Sequence, residues 1–150
     1  MREKDQCAFV TIPRRGPRLT LLAVGYGGIV LLWLSWEDTH IWPVILLAAG
    51  ASMITGMLAA TGHLAGQSLS QRAFVLGLSL WGGLVGRLAG PLAALLMLVK
   101  TAAHGHVYPD YPLPVMGATL ARTPIWAMAG ALMGLGTALI WVATRAAGKS

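Results

Sequence analysis

Residues 81–100 read W-G-G-L-V-G-R-L-A-G-P-L-A-A-L-L-M-L-V-K. The run is apolar and long enough to cross a bilayer, which takes about 20 residues. It also contains a guanidinium. Gly82, Gly86 and Gly90 recur every four residues and share one helical face, Arg87 sits beside that face, and Pro91 follows. A charge inside an apolar span is costly in lipid and marks a functional position by default.

The rest of the chain repeats the pattern. Of its 150 residues 56% are hydrophobic and 11% charged, against about 25% charged in a soluble domain. Apolar runs predict four transmembrane helices, at about 19–36, 41–62, 73–103 and 124–144, arranged as two hairpins. The expected fold class is therefore all-α, an integral membrane four-helix bundle. Residues 1–18 form a basic leader, 19–145 the transmembrane domain and 146–150 a tail. The third run, at 1.5 Å per residue, is roughly 45 Å long and exceeds a ~30 Å hydrocarbon core, so it tilts, kinks at Pro91 or protrudes.

Prolines set the ends. Pro13 and Pro17 argue against a continuous helix through the leader. The leader has the charge of a signal peptide, but the run behind it is too long and ends in Ser35-Trp36-Glu37-Asp38 rather than in a small-residue cleavage site. Pro43 falls in the first turn of the second run, and Thr123-Pro124 makes a cap and first-turn pair for the fourth. Residues 63–72 read as a polar loop. Residues 104–122 form the longest connection, with a short interfacial helix expected over 115–122.

Charge gives the orientation. Arg2, Lys4, Arg14, Arg15, Arg18, Arg72, Arg145 and Lys149, eight of the eleven basic residues, fall on one side; Lys100 and Arg122 fall on the other. The excess predicts a multi-pass protein of the cell membrane with both termini cytoplasmic. Trp33, Trp36, Trp42, Tyr108, Tyr111 and Trp126 are then expected at the outer interface. The net charge of +6 does not point to nucleic acid, because the basic residues flank apolar runs instead of interleaving with aromatics on a soluble face. Cys7 is the only cysteine, so no internal disulfide forms.

Small residues four apart occur in every run: Ala23/Gly27, Ser52/Gly56, Gly82/Gly86/Gly90 and Gly130/Gly134. Such stripes let helix backbones approach closely, either within the bundle or against another chain. Gly25-Tyr26-Gly27-Gly28 loosely parallels Leu80-Trp81-Gly82-Gly83, a faint internal repeat.

The acidic residues are Glu3, Asp5, Glu37, Asp38 and Asp110, all at ends or in loops, so Arg87 has no acidic partner at its depth within the chain. It bonds backbone or water, or it meets another molecule. Arg87, Gly82, Gly86, Gly90 and Lys100 are accordingly the candidates for contact with a partner or ligand. On the outer side His40, His104, His106 and Asp110 are weak candidates for a metal; their spacing fits no strong zinc pattern. No histidine lies mid-helix to ligate a haem, and G-x-S-x-G, H-E-x-x-H and the phosphate loop do not occur. No cofactor is expected, bound lipid aside. The chain is expected to be non-enzymatic: an accessory or assembly subunit of a larger membrane complex, in contact with other membrane subunits or with itself. The alternative is a homo-oligomeric channel or transporter for an anionic or amphipathic solute, with Arg87 in the pathway. A third reading is an enzyme acting on lipid through His104, His106 and Asp110.

Overall fold

The computed structural model describes residues 9–14, 16–105 and 109–147. The elements in chain order are β1 (Phe9–Thr11), α1 (Pro17–Leu34), α2 (Ile41–His63), β2 (Ser68–Ser70), α3 (Gln71–His104), α4 (Leu113–Ala121) and α5 (Thr123–Ala147). Helix accounts for 81% of the described residues, and the class is all-α. Four helices, α1, α2, α3 and α5, are long and apolar enough to cross a membrane.

Local chemistry sets the helix ends. Pro17 opens α1 in the first turn, where its missing N–H costs nothing. Ser70 caps α3, its hydroxyl accepting from the Ala73 amide at 3.3 Å. Gly105 closes α3 at φ 61°, a left-handed conformation that suits glycine. Helix α3 runs unbroken through Pro91. With 34 residues it is ~51 Å long. Pro91 carries no N–H, so the Arg87 carbonyl, four residues earlier, lacks its usual helical donor.

Helix α3 is the spine, packing along α2 on one side and α5 on another, while α1 packs lightly and mainly on α2. The α3–α5 approach is backbone on backbone. A Cβ at Gly82 would run into the Gly130 carbonyl oxygen, one at Gly86 into that of Trp126, and one at Gly134 into that of Leu78; a Cβ at Gly90 would meet the Thr123 hydroxyl. These pairs run antiparallel, so α5 begins at the level of Gly90. Beyond Gly90 the short α4 takes its place beside α3. Trp126, in the first turn of α5, therefore lies beside the middle of α3. Arg122, next to Thr123, falls ten residues of α3, or ~15 Å, away from the level of Lys100.

On α2, Val44, Ala48, Ser52 and Gly56 are buried, with Gly56 against Val85. The main core cluster sits toward the Lys100 end: Trp33, Val44, Ala48, Ala93, Met97, Tyr111 and Met116.

One element differs from the expectation of an irregular leader and a polar 63–72 loop. The two pair as an antiparallel ribbon, Phe9 with Ser70, Val10 with Leu69 and Thr11 with Ser68. Bonds from Ile12 N to the Gln67 carbonyl (3.0 Å) and from Gly66 N to the Ile12 carbonyl (2.9 Å) extend it. Val10 is 3% exposed, so burying this β-branched side chain adds to the ladder's hydrogen bonds. Of the remaining leader and tail, residues 1–8, 15 and 148–150 lie outside the described residues.

Candidate functional site

At the Lys100 end three segments converge: the last turns of α3, the 35–40 link between α1 and α2, and the 109–112 stretch before α4. Lys100 sits at their centre and is fully buried. Its ammonium donates to the Asp38 carbonyl at 2.5 Å and lies 4.1 Å from the centroid of the Trp33 ring. A buried ammonium needs such partners, because an uncompensated charge in low dielectric is strongly unfavourable. The Tyr111 hydroxyl donates at 3.3 Å to the carbonyls of Asp38 and His40. Sequence reading assigns Trp33 and Tyr111 to the interfacial belt, but they are buried beneath this link, 7% and 2% exposed. Trp36 and Trp42 are the exposed rings there. A lysine ending an apolar run was the available signal that something must cover its charge.

The Asp38 carboxylate turns back on its own segment. It accepts the His40 amide at 2.9 Å and lies 2.6 Å from His40 Nδ1. These two bonds, the backbone one foremost, hold its pKa below the usual carboxylate value. His104 Nδ1 lies 2.7 Å from Asp110 Oδ2, with the side chains 13% and 6% exposed. Burial, together with the negative charges of Asp38 and Asp110, pushes the Tyr111 phenol up to about 12. A cavity of about 270 Å³ opens among Glu37, Asp38, Thr39, Lys100, His104 and Asp110.

Of the sequence candidates for a metal, the structure brings His104 to Asp110 and sets His40 on Asp38 instead. His106 lies outside the described residues. Among the described residues no group of three or more His, Cys, Asp or Glu side chains could hold a metal ion.

The candidates for partner contact divide. Lys100 is spent on the link just described. Gly82, Gly86 and Gly90 lie against α5 of the same chain. Arg87 is exposed on α3. No hydrogen bond or ion pair joins its guanidinium to any described residue. It is the seventeenth of the 34 residues of α3, ~20 Å along the helix from Lys100 and ~24 Å from Gln71. Gly25, Gly27 and Gly28 of α1 have nothing within 4 Å of an added Cβ, so the faint repeat does not extend to how its two copies pack. Arg122, which sequence reading placed on the outer side with Lys100, is also exposed. Only the contact of Gly90 with Thr123 reveals its level. Scans of protein-family models, curated proteins and solved structures return no match to this chain.

Proposed function

We propose that the chain is a non-catalytic, multi-pass accessory or assembly subunit of a larger complex in the cell membrane, with both termini cytoplasmic. The observation that carries this reading is Arg87: exposed, midway along the longest helix, with no ion pair among the described residues. A guanidinium facing lipid inside an apolar span is unfavourable, by about 2.5–3.5 kcal/mol at the bilayer centre on insertion scales. A neighbouring chain that supplies hydrogen-bond acceptors relieves that cost. The open glycine face of α1 is a further surface on which a helix can pack closely. The ribbon supports the orientation, since it holds the basic leader and the loop before Arg72 at one end of the bundle.

The homo-oligomeric pore is the weaker reading. Each added copy contributes another Arg87 and, by the sequence, no carboxylate at that depth. Purification from native membranes in mild detergent tests the proposal. A stoichiometric partner is expected, and Arg87→Leu reduces its recovery. A stable, partner-free chain would count decisively against it.

A further inference from the structure

Helices α3 and α5 end together, on the side of the bundle away from Lys100. Their pairing is antiparallel, with Gly134 against Leu78, so Trp141, one heptad beyond Gly134, lies level with Gln71 and Arg72. Trp141 and Arg145 continue, at helical spacing, the face of α5 that carries Gly130, Gly134 and the buried Ala138. The Arg145 guanidinium lies over the Trp141 ring, 5.0 Å from its centroid. Arg72 stands in the first turn of α3. Both arginines are exposed, and no ion pair joins either to a described residue. The described carboxylates, Glu37, Asp38 and Asp110, lie at the Lys100 end, ~42 Å along α3 from Arg72. Arg72 also heads a column on α3. Leu76, Leu80, Leu84 and Leu88 follow it at four-residue steps, all of them exposed, and the column runs ~18 Å from its first leucine to its last.

We infer that this foot of the α3–α5 pair binds an anionic phospholipid, with the phosphate between Arg72 and Arg145 and one acyl chain along the leucine column. The site needs only that α3 and α5 cross a bilayer, whether or not the chain has a protein partner. Its depth follows from the spans themselves. Arg72 is the second residue of one apolar helix and Arg145 the last of the other span, the positions at which a helix meets the headgroups. A bilayer brings phosphate to that level around every span end, and the guanidinium fork takes phosphate oxygens in pairs. Charge complementarity selects a net negative headgroup. The ammonium of a zwitterionic lipid would add a third cation to a place that holds two, with the described carboxylates at the other end of the bundle. The leucine column selects a lipid over a free phosphate or a soluble acidic segment, since neither brings apolar surface to the face that ends at Arg72.

Trp141, beneath Arg145, reads the site. The full chain is placed in phosphatidylcholine vesicles containing brominated phosphatidylglycerol or, at the same mole fraction, brominated phosphatidylcholine. Bromine quenches tryptophan fluorescence on contact, and the part due to Trp141 is the difference between wild type and Trp141→Phe. At low salt the relative association constant is expected to favour phosphatidylglycerol by at least about fivefold, the effect of one arginine at a charged surface, and to fall as salt is added. Arg72→Gln and Arg145→Gln each shrink the preference, the double variant abolishes it, and Arg72→Lys keeps most of it. Arg122→Gln, beyond the other end of α5, leaves it unchanged. Equal quenching of wild type by the two lipids overturns the inference. So does a preference that survives the double variant, or one that falls as far with Arg122→Gln. A preference erased by millimolar glycerol phosphate also overturns it, because the headgroup alone would then suffice and the leucine column would play no part.

Discussion

Replacing Gly86 with alanine isolates the α3–α5 contact. Alanine is a better helix former than glycine by about 0.8–1.0 kcal/mol, so at an open helical position the change is stabilising. Gly27 is such a position, with nothing within 4 Å of an added Cβ. At Gly86 the same methyl meets the Trp126 carbonyl and the Ala127 Cα. Both are backbone atoms of a packed helix, and neither can swing aside as a flexible side chain would. The helices must separate, and a gap of 0.5–1 Å forfeits about a quarter to a half of the dispersion energy along the contact. Overpacking of this kind costs about 1–3 kcal/mol. Because the propensity gain is common to both variants, Gly86→Ala should be less stable than Gly27→Ala by about 1–3 kcal/mol. Reversible unfolding in mixed micelles, titrated with a denaturing detergent and followed by tryptophan fluorescence, measures the difference. If the two variants shift the midpoint equally, the close approach does not hold the bundle together.

Lys100→Ala removes both the buried stem and the ammonium, and should cost about 2–5 kcal/mol, the range for long side chains cut to alanine in a core. Lys100→Met keeps the stem packed and removes the desolvation of a buried charge, so it should cost clearly less while raising hydrogen exchange around His40; equal losses would contradict the role given to the hydrocarbon. Tyr111 should form tyrosinate only near pH 12 in the folded protein. Since its folded pKa is raised, its contribution to stability is complete below about pH 10 and disappears as pH rises through about 12, measurable by ultraviolet titration of wild type against Tyr111→Phe. Asp38 has a lowered pKa, so its contribution is present above the ordinary carboxylate range and fades as pH falls through the folded value; Asp38→Asn should flatten the acid limb of the stability curve, and an unchanged limb would refute the assignment. Val10→Asp puts an unpaired charge at a site only 3% exposed and should open the leader to protease, with Phe9→Asp, at an exposed position of the same strand, as the control.

Apolar run length and capping chemistry made the four long helices legible, because a span needs about 20 apolar residues wherever it occurs. Thr123-Pro124 announced the start of α5. Pro112 and Pro114, which lie at the start of α4, pointed to the stiff connection before it. What stayed hidden was the stagger of the helices. Nothing in the sequence says that α5 starts beside Gly90, ~15 Å along α3 from the level of Lys100. Lateral packing hid as well: Trp33 and Tyr111 are amphipathic rings that suit an interface equally well, and only their position around the Lys100 ammonium distinguishes a core role. The ribbon escaped because three-residue strands carry too little periodicity to separate from loop.

That ribbon also bears on how the protein is made. Thr11 and Ser68 are 57 residues apart in the chain, and α1 and α2 lie between them. A ribosome adding about 5–20 residues per second leaves β1 without its partner strand for roughly 3–12 s. During that interval the first strand is an unpaired edge, open to pairing with another chain. The ribbon can close only once the α1–α2 hairpin has returned the chain to the end of the bundle at which β1 lies. Its closure thus depends on the α1–α2 hairpin having formed, and a hairpin with one helix out of place would leave the strand unpaired.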